Sequence, residues 1–175
     1  MIQDETRELI RGWFTGRLPA AWSPAEVVID REEITVRLTT ADVTVAEGAS
    51  AAEVAETRVG RAKGFREETR EARMAIAREA EHRYGRTVSW GVRLGDGEDA
   101  HSELWTHLAT PVMTRLRQPQ RLVLDTLVDA GVARSRADAL AWCVRLVGQH
   151  EGDWLADLRE ATGRVADVRA QGPAA

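Results

Sequence analysis

The residues best suited to chemistry in this chain are arginines, and they are concentrated between positions 110 and 150. That stretch holds six arginines and three aspartates, a local charge of +3 in a chain whose formal net charge is −4. A guanidinium group binds phosphate oxygens and the guanine edge in a bidentate geometry that lysine cannot provide. The stretch therefore favours an anionic partner such as nucleic acid, although the chain as a whole has no electrostatic attraction to one.

The first element of this stretch is a short extended run that ends at Gln118 and Pro119. Side chains alternate between the two faces of a strand. One face carries Val112, Thr114 and Leu116, and the other carries Met113, Arg115 and Arg117. The run is therefore predicted to present an apolar face and an arginine-bearing face.

Two helices are predicted next, over about 119–130 and 136–148. The first has an apolar stripe that includes Leu124 and Leu127, and it stops at Gly131. The second opens on Ser135 and Asp138, which have the spacing of a capping box. This helix is apolar nearly all round and must be covered on most sides, by a second chain or by the N-terminal part. A homodimer is the simpler expectation. Its core is predicted to comprise Leu116, Leu124, Leu127, Leu140, Val144 and Val147.

The order of strand, helix, Gly131-Val-Ala-Arg-Ser-Arg-Ala-Asp-Ala139 and helix resembles the ribbon-helix-helix family of DNA-binding proteins. In that family two chains intertwine, and their strands form a ribbon that enters the major groove. The resemblance implies a homodimeric, nucleoid-associated transcriptional regulator that binds double-stranded DNA. By position it makes Met113, Arg115 and Arg117 the base readers, and it sets Arg134, Ser135 and Arg136 beside a phosphate. The alternative left open is a dimeric interaction protein that binds no DNA.

The N-terminal part is predicted to be a small α+β domain with an αββαβ-like order. Periodicity indicates a helix over 2–15, a hairpin of strands at 27–29 and 34–38, and a strand over 87–94. Between them lies a helical stretch, expected to break at Gly60 and Gly64 and to continue as a main helix over 65–84. Extended structure is expected again around 104–116. The predicted divisions are residues 1–109, 110–150, and 151–175 with a third helix over 153–169.

Gly60-Arg-Ala-Lys-Gly64, the helix after it and Tyr84-Gly-Arg-Thr-Val88 resemble the second half of a type II KH domain. Such domains bind single-stranded nucleic acid through a glycine loop. The resemblance implies RNA binding by Gly60, Arg61, Lys63 and Gly64, as a further alternative to DNA binding.

Other residues that could do chemistry do not form a recognisable constellation. His101, Glu103 and His107 fall on one side of a strand but lack a further convergent ligand. Cys143 is the single cysteine and has apolar neighbours, which indicates a small packed side chain. No enzyme, nucleotide-loop or metal motif occurs, so we expect no catalysis, no cofactor and no metal. No apolar run approaches the roughly 20 residues of a membrane helix, and the acidic start does not resemble a secretory signal, so a cytoplasmic location is expected.

Overall fold

The computed structural model of the chain describes residues 4–22, 24–97, 99–106 and 108–171. It divides into two compact units, residues 1–111 and residues 112–175. The described residues form an α+β protein with a four-stranded sheet in the first unit and helices in both units. None of the helices in these ranges is long and apolar enough to cross a membrane.

The sheet of the first unit has the strand order β1-β2-β3-β4. Its strands are β1 (Glu26–Ile29), β2 (Glu33–Thr40), β3 (Thr87–Leu94) and β4 (His101–Leu104). The β1–β2 and β3–β4 pairs are antiparallel, and the β2–β3 pair is parallel. The predicted hairpin and the predicted 87–94 strand are confirmed. β4 is shorter than the extended structure expected around 104–116, because it ends at Leu104 and residues 108–117 lie in no strand.

Three helices accompany this sheet: α1 (Asp4–Arg17), α2 (Ala51–Glu68) and α3 (Arg70–Tyr84). Since β2 and β3 are parallel, the chain must cross over between them, and α2 and α3 make that connection. The predicted break at Gly60 and Gly64 is wrong, because both residues lie inside α2. The break falls at Thr69 instead, whose hydroxyl donates to the Phe65 carbonyl over 2.6 Å.

The core of the first unit lies between the sheet and its helices. It includes Ile10 and Phe14 of α1, Phe65 of α2, Ile76 and Ala80 of α3, and Val36, Leu38, Trp90 and Val92 of the two central strands. The side chains of β2 alternate between buried and partly exposed positions, as expected for a strand covered on one face. β3 is buried at most positions because it is central.

One position of this core is occupied by a cation. Arg73 is 5% exposed, whereas its neighbour Ala72 is exposed. Its guanidinium donates to the Thr69 hydroxyl (3.0 Å) and to the Arg66 carbonyl (2.8 Å), and it lies 4.4 Å from the Trp105 ring centroid. Arg73 thereby bonds an end carbonyl of α2, where the helix dipole favours positive charge. Burial lowers the pKa of Arg73 to about 10, so the group stays charged at neutral pH.

The second unit contains α4 (Gln118–Asp129), α5 (Arg136–His150) and α6 (Gly152–Gln171). The three helices predicted over 119–130, 136–148 and 153–169 are therefore confirmed. α4 and α5 enclose a small cluster of buried residues, Leu124, Ala133 and Ala139. α6 falls in the same unit as these two helices.

Arg73→Ala is expected to lower the free energy of unfolding by roughly 2–4 kcal/mol, because it leaves a void beside two tryptophans and removes the donor to the Arg66 carbonyl. The measurement is urea unfolding of the full chain followed by tryptophan fluorescence. Arg78→Ala is the matched control, since Arg78 is exposed on the same helix, and should change stability by less than about 0.5 kcal/mol. Equal stability of the two variants would contradict the assigned role of Arg73.

Candidate nucleic-acid interface

The 112–117 segment leads into α4 without forming a strand within the described chain. Val112 is 85% exposed and Met113 is 96% exposed. Leu116 is the residue of the segment that turns inward, and it packs against the cluster around Leu124. The segment thus keeps one apolar anchor and presents the rest of its side chains to the surface.

The end of the segment is fixed to the start of α4 by two hydrogen bonds. Arg121 donates from its guanidinium to the Leu116 carbonyl over 2.8 Å. The Arg117 backbone N–H donates to the Gln120 side-chain oxygen, also over 2.8 Å. Gln120 therefore satisfies one of the backbone groups that a helix start leaves free. These bonds fix the position of the backbone at Leu116 and Arg117 relative to the start of α4.

A groove of about 360 Å³ runs between this segment and the two helices. Apolar side chains make up much of its lining, with two arginines at its wall. The lining residues are Val112, Met113, Thr114, Leu116, Arg121, Leu124, Arg136, Ala137 and Leu140. The segment therefore forms one side of a largely apolar groove and does not fill it.

The turn between α4 and α5 depends on Gly131, whose φ of +73° favours glycine. The Leu127 carbonyl accepts the N–H groups of Val132 (2.9 Å) and Ala133 (3.2 Å). This pattern closes the end of α4 in the manner of a glycine C-cap. The methyl group of Ala133 is thereby brought into the buried cluster.

The predicted capping residues lie at the start of α5. The Asp138 N–H donates to the Ser135 hydroxyl (3.2 Å), and the Asp138 carboxylate accepts the N–H of Arg134 (3.0 Å). The carboxylate thus reaches one residue further back than in an ideal capping box. The bond from the Arg134 backbone lowers the pKa of Asp138. Both side chains are therefore occupied in holding the helix start.

Arg136, expected beside a phosphate, is held by a bidentate ion pair with Asp125 of α4. The two bonds are 2.6 Å (Nε to Oδ1) and 2.7 Å (Nη2 to Oδ2). The hydrogen bonds from Arg136 lower the pKa of Asp125 and raise that of Arg136. The sequence does not predict Asp125 as the partner, because the two residues lie eleven positions apart on different helices and meet only through the turn at Gly131. The pair ties the start of α5 to α4.

The other candidate arginines are more available. The Arg134 side chain is 94% exposed and approaches Asp138 only to 3.6 Å. Arg115 and Arg117 are exposed. Within the part of the chain that the structure describes, the Arg115 side chain takes part in no hydrogen bond or ion pair. Three of the arginines predicted to contact DNA can therefore meet an external anion.

The residues expected in a dimer core have two different environments within one chain. Leu124 is buried, and Leu116, Leu127 and Leu140 are partly buried around it. Val144 is 67% exposed and Val147 is 47% exposed. The N-terminal half of α5 therefore packs against α4 of the same chain, whereas its C-terminal half presents apolar side chains to the surface.

The residues expected to bind RNA form no loop in the first unit. Gly60, Arg61, Lys63 and Gly64 lie within α2, so a cradle of loop backbone is absent at that place. Arg61 bonds to the Glu68 carboxylate over 3.1 Å and lies 5.6 Å from the Phe65 ring centroid. The loop prediction is wrong, because the helix continues through both glycines.

The suggested metal ligands do not assemble among the described residues. His101 Nε2 lies 3.5 Å from a Glu103 carboxylate oxygen, and Glu103 also accepts from the Trp105 indole N–H over 2.5 Å. His107 lies outside the described residues. No group of three or more His, Cys, Asp or Glu side chains in the described ranges could hold a metal ion.

Comparison with known proteins covers both units. Residues 8–100 match the family described as Rv1265-like protein, N-terminal domain, and residues 117–169 match the Mb1296 C-terminal domain. The chain belongs to the Rv1265-like family. It is 58% identical over 163 residues to Mb1296 of Mycobacterium bovis and to Rv1265 of Mycobacterium tuberculosis, which covers 92% of this chain and 69% of each relative. No solved structure matches the chain.

In this Rv1265-like chain only part of the candidate interface lies within a matched region. α4 and α5 fall within the Mb1296 C-terminal match, whereas residues 112–116 precede it. The names of the relatives state no activity.

Arg136→Gln is expected to raise the pKa of Asp125 toward its ordinary value, because it removes the donors that stabilise the carboxylate. Since the pKa of Asp125 is lower in the folded than in the unfolded chain, the ion pair stabilises the fold above pH about 4. This stabilisation is lost as the pH falls through the folded-state pKa. The acid-induced loss of stability should therefore be smaller in the variant. An NMR titration of the Asp125 side chain measures the shift. Arg134→Gln is the control and should leave it unchanged; an unchanged pKa in Arg136→Gln would contradict the ion pair.

Proposed function

We propose that this protein is a homodimer that binds double-stranded DNA through its 112–117 segment, in the manner of ribbon-helix-helix proteins, and regulates transcription. The observation that carries the proposal is an exposed segment in which Arg115 and Arg117 flank the anchored Leu116, and whose end is hydrogen-bonded to the start of α4. Its two halves, the dimer and the DNA contact, have separate support.

The dimer is supported by apolar side chains that one chain leaves uncovered. Val112, Val144 and Val147 are exposed, and the groove beside the segment is largely apolar. Two segments paired as antiparallel strands across a two-fold axis would supply the backbone partners that the segment lacks in one chain. The same pairing would bring a second set of apolar side chains toward the α5 face.

The DNA contact is supported by the arginines that remain available at the surface. In a paired ribbon, Met113, Arg115 and Arg117 would share the outward face while Leu116 keeps its inward contact. Arginine bonded to guanine O6 and N7 is the commonest specific base contact. The phosphate contact is assigned to Arg134 and to backbone N–H groups at the start of α5, with Arg136 retained as a structural residue because of its bond to Asp125.

RNA binding is not part of this proposal. The element order of α1, β1, β2, α2, α3 and β3 is compatible with a type II KH-like arrangement. The glycines that would form its binding loop are helical, however, and Arg61 is engaged with Glu68. The first unit is therefore proposed to contribute a partner or assembly surface, with no nucleic-acid contact through this helix.

Selection from a randomised duplex DNA library, followed by fluorescence anisotropy at several salt concentrations, tests the DNA contact. We expect affinity to fall steeply with salt, because several phosphates are neutralised per dimer. Arg115→Ala should lose about 1–3 kcal/mol of discrimination at one base position. Arg134→Ala should weaken binding to all sequences alike, and it should reduce the salt slope by about 1 for each phosphate that is no longer neutralised.

Arg159→Ala is the control, since Arg159 is exposed on α6, and it should retain both affinity and preference. Absence of binding to every library member at about 50 mM salt would contradict the proposal, because non-specific contacts alone should be detected there. A chain that still dimerises under those conditions would instead be an interaction protein without a DNA role.

A further inference from the structure

Helix α6 is a long helix with almost no support from its own chain. It spans Gly152–Gln171, and none of its described side chains is buried. Trp154, Leu158, Val165 and Val168 are all exposed. Most helical stability in proteins comes from packing of an apolar face rather than from the helix propensity of the residues. The helix therefore requires a partner that covers this face.

The spacing of the apolar residues indicates what kind of partner it is. Starting at Trp154, they recur in alternating steps of four and three along the helix, at Trp154, Leu158, Ala161, Val165 and Val168. This is the a/d pattern of a coiled coil, which is narrower than the apolar face of a helix packed on a globular core. We call these five residues the α6 seam. A seam of this width fits another helix with the same repeat.

We propose that the α6 seam pairs in antiparallel orientation with the α6 seam of a second copy of the chain. In the alignment that sets Leu158 opposite Ala161 of the second copy, Trp154 lies opposite Val165 of the second copy. Each of these layers combines a large side chain with a smaller one, and Val168 lies beyond them, opposite Glu151 of the second copy. This contact involves residues outside the 112–117 segment and does not depend on the pairing of that segment.

The flanking charges select this alignment. It brings Asp157 beside Arg164 of the second copy, and the two-fold symmetry repeats the pair. Residues beside the seam commonly form such ion pairs and set helix orientation. A parallel pair would instead bring Arg164 beside Arg169, and an antiparallel pair shifted by one heptad would bring Arg164 beside its own counterpart. Like charges at those positions disfavour both alternatives.

Arg164 is free to take part in this contact. It makes a 3.3 Å ion pair with Glu160 of its own helix, in which both side chains are 71% exposed. An exposed pair of this kind contributes little, so the guanidinium can bridge Glu160 and an incoming aspartate at small cost. The Asp157 side chain makes no hydrogen bond or ion pair within the described residues.

Sedimentation equilibrium of the full chain tests the seam. Leu158→Asp should raise the concentration at which half of the chains are assembled by at least about tenfold, because it sets an unpaired carboxylate in an apolar layer. Ala156→Asp is the matched control, because it adds the same charge on the opposite side of the helix, and it should leave assembly unchanged. Equal behaviour of the two variants, or a parent chain that is monomeric throughout, would overturn the proposal.

Charge exchange tests the orientation without altering the seam. Asp157→Arg and Arg164→Asp should each weaken assembly by about threefold or more, since each replaces two attractive pairs with two repulsive ones. The double exchange restores opposite charges and should restore assembly to the parental level. If the double variant is as weak as the single ones, the antiparallel pairing is overturned, and α6 is covered by another surface.

Discussion

The described part of the second unit buries the side chains of Leu124, Ala133 and Ala139, and two of these are alanines. A core of that size cannot by itself offset the conformational entropy of ordering three helices. Val112, Met113, Val144, Val147 and the four larger side chains of the α6 seam are exposed in one chain. The need to cover these side chains underlies both proposed contacts between copies, one near the 112–117 segment and one along α6.

Within that unit, a few polar interactions hold the geometry on which the DNA contact would depend. The ion pair between Arg136 and Asp125 joins α5 to α4, and Arg121 fixes the Leu116 carbonyl at the end of the segment. Ser135 and Asp138 cap the start of α5. These groups are occupied in positioning, so that Arg115, Arg117 and Arg134 remain available among the arginines predicted to contact DNA. A positive patch in a chain of net charge −4 is thereby limited to a few defined side chains.

Much of the fold could be predicted from the sequence, since local patterns determine the individual elements. Period-two alternation identifies β3, and Gly131 with Ser135 marks the turn before α5. The failures have non-local causes. Gly60 and Gly64 suggested a break, but the helix continues through both because tertiary packing outweighs their weak helix propensity. Arg73 is buried because the end of α2 and two tryptophans meet there, and Asp125 meets Arg136 only after the helices pack. Neither contact could be predicted from the spacing of the residues in the sequence.

The most direct test of the central claim is an oxidative cross-linking scan of the 112–117 segment. Single cysteines would be placed at each of residues 112–116 in a Cys143→Ser background, and covalent dimers would be measured on non-reducing gels. A disulfide requires Cα atoms about 4.4–6.8 Å apart, so antiparallel pairing across a two-fold axis should cross-link strongly at one position and weakly on either side. A sharp maximum within 113–115 is the predicted result. Absence of cross-linking at every position, or equal cross-linking at all five, would contradict a paired ribbon.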